Sequence, residues 1–128
     1  MQQRLKSLKE EMEFDRCDSF IITNRENVYY MSGFTGTSGV LFVTNQESFL
    51  ITDFRYTHQA KEQVTNFDVV ECGNNMWDFI LEQIKKYKIK NTGFECRDIS
   101  YNKYTEIRDK LKGVKLIPKI DYIEKLRI

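Results

Sequence analysis

Histidine, proline and an excess of charge of either sign are what this chain has least of. Its 128 residues include one histidine, one proline, one tryptophan, three cysteines and six glycines. With His58 alone, any histidine-dependent triad or paired-metal site has to be built around that residue or do without it. Helical spacing puts Glu62 one turn beyond it, a possible ligand pair. A stable site needs three or four ligands, so a surface histidine is the better reading. Cys17, Cys72 and Cys96 are odd in number, widely spaced and without a C-x-x-C pair, which argues against a disulfide framework and a zinc knuckle and fits a reduced, cytoplasmic compartment. A cysteine nucleophile would have only His58 as its base. No apolar run approaches the ~20 residues needed to span a bilayer, and no cationic-then-apolar leader opens the chain. Twenty basic against nineteen acidic side chains leave a net charge of +1. No global field then favours nucleic acid or an anionic membrane, and neither is expected as a partner. The run Lys85-Lys86-Tyr87-Lys88-Ile89-Lys90 reads as a solvated helix end. Repeats, low-complexity tracts and linkers are missing too, so residues 1–128 form a single domain that buries roughly two-thirds of its unfolded surface.

What is present centres on Asn27 to Ala60. Val40-Leu41-Phe42-Val43 and Phe49-Leu50-Ile51 are short apolar runs of strand-forming types. The few polar residues between them predict an antiparallel hairpin. Neither run alternates with polar residues, so both faces of the sheet are covered. Gly33, Gly36 and Gly39 recur every third residue. They match neither the dinucleotide fingerprint nor the triphosphate loop, and a strand follows them where an anion site needs a helix. Glycine here serves positive φ and close backbone approach, in a loop suited to a ligand or partner contact.

In chain order, Leu5, Leu8 and Met12, with Phe14 behind, predict a helix from Met1 to about Asp15. Phe20-Ile21-Ile22 is a strand, and Thr23 to Asn27 turn into a short helix with Val28, Tyr29 and Met31 inward. Thr52 or Asp53 caps a helix from about Phe54 to Val64, with Tyr56, Ala60 and Val64 inward. Phe67 to Cys72 is a strand. Asn74 or Asn75 caps a helix with Trp77, Ile80, Leu81 and Ile84 on one face. Thr92-Gly93-Phe94 is a strand; Ser100 caps a helix with Tyr101, Tyr104, Ile107 or Arg108, and Leu111 inward, ending at Gly113. Val114 to Ile117 is a strand stopped by Pro118, and a helix starts at Asp121. This alternation predicts an α/β fold: three αβα layers around a mixed sheet of about five to six strands including one antiparallel hairpin.

Asp53, Glu71, Glu95 and Asp98 stand at strand ends, where carboxylates could form a two-metal nuclease site. A helix cap explains Asp53 equally well.

The ordered set Tyr30-Met31-Ser32-Gly33-Phe34-Thr35-Gly36-Thr37-Ser38-Gly39, Leu50-Ile51-Thr52-Asp53-Phe54-Arg55-Tyr56, Gln59-Ala60, Gly93-Phe94-Glu95, Ser100-Tyr101 and Ile123-Glu124-Lys125-Leu126-Arg127-Ile128 resembles the N-terminal domain of bacterial Xaa-Pro aminopeptidases and dipeptidases, of the creatinase, prolidase and aminopeptidase P family. That resemblance implies a ribonuclease H-like domain preceding a C-terminal "pita-bread" metallopeptidase domain, which holds two divalent metal ions, often manganese, and is absent from this chain. It implies no catalytic residue and no metal ligand here. It further implies a homodimer, a proline-containing peptide as substrate of the longer protein, and support for dimer assembly and substrate access. Ile128 falls where the second domain would begin, as in a fragment. By the same resemblance Phe34 and Thr35 are loop contacts, and Asp53, Arg55 and Tyr56 are the motif nearest substrate or interface. A free-standing α/β binding or scaffold domain is the alternative.

Overall fold

The structure, a computed structural model, describes residues 2–128. Its elements in order are α1 (Gln2–Phe14), β1 (Ser19–Ile22), α2 (Arg25–Ser32), β2 (Gly39–Thr44), β3 (Ser48–Thr52), α3 (Thr57–Gln63), β4 (Asp68–Glu71), α4 (Met76–Lys86), β5 (Asn91–Glu95), α5 (Tyr101–Lys110), β6 (Lys115–Lys119) and α6 (Tyr122–Leu126). The strands form one sheet in the order β4-β3-β2-β1-β5-β6. Only β2 runs against its neighbours, antiparallel to both β1 and β3; the other pairings are parallel. The α/β architecture with a mixed sheet is therefore as expected, at six strands.

Two apolar layers flank the sheet. On one face Leu8 and Met12 of α1, Val28 and Met31 of α2, Ala60 of α3 and Ile123 of α6 pack on Phe20, Ile22, Leu41, Val43 and Leu50. On the other, Trp77, Ile80 and Ile84 of α4 and Ile107 of α5 pack on Ile21, Phe42, Phe49 and Ile51. Successive strand residues point to opposite faces, so the unbroken apolar runs of β1 to β3 reflect cover on both sides. Within the hairpin turn the buried Thr44 hydroxyl accepts from the amides of Gln46 (3.1 Å) and Glu47 (2.8 Å). No helix among the described residues is long and apolar enough to cross a membrane.

Several details differ from expectation. Phe14 is 84 % exposed: two helical steps past Met12 carry it about 200° round the axis, off the buried stripe. Tyr29 and Tyr101 are exposed as well, while Val28 and Met31 fill the inner face of α2. Helix α3 starts at Thr57 and not at Phe54, and neither Thr52 nor Asp53 caps it. Asp53 instead folds a turn before the helix, with the Tyr56 amide donating to its carbonyl at 3.0 Å. A short polar side chain that can bond its own following backbone competes with a helix start in this way. Asn75 stands at the cap position of α4 without a side-chain bond, whereas Ser100 Oγ does accept from the Lys103 amide of α5. Pro118 lies inside β6, paired with Phe94. As an edge strand, β6 tolerates a residue with no amide donor.

Gly93 sits where β5 meets β1. An added Cβ there would stand 2.7 Å from the Phe20 ring and 3.1 Å from Cys17 Sγ. Gly93→Ala is expected to cost about 1–3 kcal/mol by overpacking, read as a lower urea midpoint at unchanged slope. Unchanged stability would mean that the ring moves aside freely.

Candidate functional site

The loop after α2 takes its shape from one ring. Helix α2 ends at Gly33, whose φ of 85° reverses the chain while its amide bonds the Tyr29 carbonyl. Phe34 follows and is fully buried, set edge-on against Tyr56 with ring centres 6.0 Å apart. A Cβ on Gly36 would lie 2.3 Å from the Phe34 ring and 2.9 Å from Tyr56. Gly36 and Gly39 are thus a mould around an aromatic side chain, and Gly33 supplies the positive φ that ends the helix.

Thr35, next in line, is exposed. Its amide donates to Gln63 Oε1 (3.0 Å), and its hydroxyl oxygen accepts from Gln59 Nε2 (3.0 Å) and Gln63 Nε2 (2.9 Å). Its carbonyl accepts from Arg25 Nη2 at 2.9 Å. With both acceptor positions of the hydroxyl filled, what Thr35 has left to offer a ligand is the O–H proton. Further along, Thr37 Oγ1 and the Tyr56 hydroxyl share a bond of 2.6 Å, and the Thr52 hydroxyl donates to the Ser38 carbonyl. Sequence reasoning named Phe34, Thr35 and Tyr56, which the fold brings together. It missed Gln59 and Gln63 as the posts that hold the loop.

Asp53 and Arg55 form the second half of the site. The carboxylate accepts from the Arg55 amide (3.0 Å), Nε (2.9 Å) and Nη2 (2.8 Å), a two-pronged pair. The Arg55 guanidinium holds the Asp53 carboxyl well below the usual carboxylate range, and Asp53 in turn raises Arg55. Arg55 also lies over the Tyr56 ring at 5.2 Å. Phe54 between them is 78 % exposed.

Of the remaining strand-end carboxylates, Glu71 stands beside Asp53, in register with Thr52 on the adjacent strand, while Glu95 and Asp98 do not converge with it. Glu71 accepts from Thr57 Oγ1 at 2.6 Å. Asp98 accepts from Thr23 Oγ1 at 2.6 Å. Strands β3 and β5 are separated by β2 and β1, three strand spacings or about 14 Å. The nuclease reading fails on that distance. His58 pairs with Glu62 at 3.0 Å on an open helix face. Among the described residues no three His, Cys, Asp or Glu side chains gather as a metal site. The donor set here does not fit the metal pair that the resemblance implies for the longer protein.

A buried polar hub escaped the sequence reading. Glu95, 7 % exposed, accepts from the amides of Thr23 (2.7 Å) and Asn24 (2.9 Å) and from Asn27 Nδ2 (2.5 Å). Asn27, fully buried, also donates to Glu124 (3.0 Å) and accepts from Arg127 (2.8 Å). The end of β5, the start of α2 and α6 are tied through these two residues. Burial pushes the Glu95 carboxyl up, against the pull of the three hydrogen bonds.

Residues 4–128 match the Creatinase/Prolidase N-terminal domain. The chain belongs to that family. The "Uncharacterized peptidase YqhT" of Bacillus subtilis is 36 % identical over 111 residues, covering 87 % of this chain and 31 % of that protein. The chain therefore spans about a third of the length of the curated relative it matches. Among solved structures, an Xaa-Pro aminopeptidase from Streptococcus pyogenes superposes with a TM-score of 0.93 at 31 % identity, over 98 % of this chain and 96 % of that one. An Xaa-Pro dipeptidase from Bacillus anthracis superposes with a TM-score of 0.91 at 29 % identity, over 98 % of this chain but 35 % of that one.

Two predictions follow from this geometry. Gln63→Ala removes both the acceptor for the Thr35 amide and one donor to its hydroxyl, so exchange of the Thr35 amide with solvent should accelerate by roughly tenfold, the loss of about one net hydrogen bond. Unchanged exchange would mean that the loop is held without Gln63. For Asp53 the native carboxyl ionises more readily than the unfolded one, so its contribution is present above about pH 4 and lost as the pH falls below that. Asp53→Asn should lower the urea midpoint at neutral pH, with the gap to the parent closing as acid is added. Glu95 has the opposite sign: its raised carboxyl favours the fold below about pH 4.3 and less so above.

Proposed function

We propose that this chain serves as the non-catalytic N-terminal domain of a proline-specific peptidase, an Xaa-Pro aminopeptidase or dipeptidase. In this reading residues 1–128 are one domain of a longer protein whose C-terminal pita-bread domain carries two divalent metal ions, manganese in the first instance. What carries the reading is the length relation: the chain superposes almost completely on the Bacillus anthracis dipeptidase yet accounts for only 35 % of it. The longer protein acts as a homodimer in the cytoplasm, where unpaired Cys17, Cys72 and Cys96 would stay reduced. The domain supports that assembly and shapes the approach of a proline-containing peptide. Thr35 and the Asp53-Arg55-Tyr56 turn stand nearest the substrate or the subunit interface, and buried Phe34 keeps their loop in place.

The test is Xaa-Pro cleavage with manganese, by residues 1–128 alone and by a product whose coding sequence continues past Ile128. Turnover is expected only from the longer protein, and there Thr35→Ala should reduce kcat/KM. Appreciable turnover by the short chain would refute the reading, and a stop codon directly after Ile128 would favour a free-standing binding domain.

A further inference from the structure

Two segments, 85–90 (KKYKIK) and 110–115 (KLKGVK), carry seven of the chain's twenty basic side chains and no carboxylate. Residues 91–109 separate them in sequence, yet they meet in the fold. Helices α4 and α5 pack against each other, each running back to the end of the sheet where the next strand begins, and β5 pairs in parallel with β6, Asn91 opposite Lys115. The Lys115 amide donates to the Lys90 carbonyl at 3.0 Å. Ile89 and Leu111 are buried and Val114 packs with them, so apolar residues hold both segments down, while all seven lysines are exposed. None of the seven forms an ion pair with a described residue. The carboxylates that border the segments are turned to other groups: Asp18 to the Lys90 amide (2.8 Å), Glu47 to the Tyr87 hydroxyl (3.2 Å) and Asp109 to Arg108 (3.6 Å). A helix favours cations in its last turn, which accounts for Lys85, Lys86 and Lys110. Lys88, Lys90, Lys112 and Lys115 lie beyond that turn, where the helix dipole gives no reason for them.

We infer that this lysine face binds the phosphate backbone of a nucleic acid, without regard to base sequence. Clustered cations displace the counterions condensed on such a backbone, and that release drives sequence-independent binding. Lysine is a compact point charge without arginine's planar fork, and contacts to phosphate carry no sequence information. An anionic membrane is the other surface that so much charge could meet. A membrane-surface site sets large apolar side chains among its lysines, and neither segment contributes one to the exposed large hydrophobic residues. The total charge of +1 favours no polyanion, but a field is local and the fold concentrates it at one end of the sheet. This goes beyond the proposed function: it needs neither a metal nor a second domain.

The 128-residue chain is titrated into a fluorescently labelled DNA duplex, and anisotropy reads the binding. A Kd on the order of 10–100 µM is expected at about 50 mM salt, weakening roughly hundredfold by about 200 mM, as for some four neutralised phosphates. Lys88→Gln, Lys112→Gln and Lys115→Gln together should weaken binding at least about tenfold and flatten the salt slope by about 0.9 for each lost contact. The same loss of charge at Lys6, Lys61 and Lys125, which lie outside the two segments, should change Kd by less than about twofold, because salt screens distant charges. Unchanged melting temperatures certify both triple variants, and the salt slope of the parent chain is a readout that needs no variant. Equal weakening by the two triple variants would overturn the inference, since net charge and not the face would then be responsible. No binding below about 1 mM at low salt, or tighter binding to phosphatidylglycerol vesicles than to the duplex at equal phosphate concentration, would overturn it as well. Its failure would leave the proposed function standing, and a peptidase-inactive longer protein would leave it standing.

Discussion

A fully buried aromatic ring beneath a glycine loop is the constraint on which the rest of the site depends. With Phe34 seated against Tyr56, neither Gly36 nor Gly39 has room for a Cβ, so the chain passes close over the ring at both positions. Burying one such ring contributes about 1.5–3 kcal/mol, whereas holding each loop residue in one conformation costs about 1–2 kcal/mol. The ring alone cannot order the segment. The hydrogen bonds converging on Thr35 from Gln59, Gln63 and Arg25, with those at Thr37 and Ser38, supply the remainder. Thr35 is consequently both exposed and fixed, as the contact proposed for it requires.

The mounting of that loop reaches further back. Helix α2 leads into it, and the first turn of α2 is held by a buried carboxylate from another strand. Glu95 accepts from the amides of Thr23 and Asn24, just before and at the cap of α2, and Asn27 joins it to Glu124 of α6 and to Arg127 at its end. A buried carboxylate is unfavourable unless its oxygens are bonded. Here three donors reach it. The loop and the C-terminal helix thus rest on one polar junction, so a force on α6 bears directly on the base of α2.

Periodicity made the layers legible. The runs Val40–Val43 and Phe49–Ile51, without polar alternation, carried the information that helices cover both faces, and the Trp77, Ile80 and Ile84 spacing marked α4. What was not legible was long-range. Nothing near Asn27 in sequence indicates that Glu95, sixty-eight residues away, shares its hydrogen bond. The start of α3 was misplaced because Asp53 satisfies a cap rule as well as a turn rule, and only the position of Arg55 decides between them. Apolar character alone suggests an inward place for Phe14, Tyr29 and Tyr101, but helical phase and position put them outside. Gln59 and Gln63 read as ordinary polar residues; their role appears only when α3 lies alongside the loop.

Net charge is a sum, and a sum hides an arrangement. The strand-end carboxylates Asp53, Glu71, Glu95 and Asp98 all accept from N–H or O–H groups of this same chain, so their charge is spent on shaping turns and helix starts. Arg4 and Arg25 are held by neutral carbonyls, which fix a guanidinium's direction without cancelling its charge. Arginines propped by backbone carbonyls leave a local excess of positive charge in the groove beside Thr35. A nearly neutral chain can present a directed cationic site, because pairing and not composition decides which charges face outward.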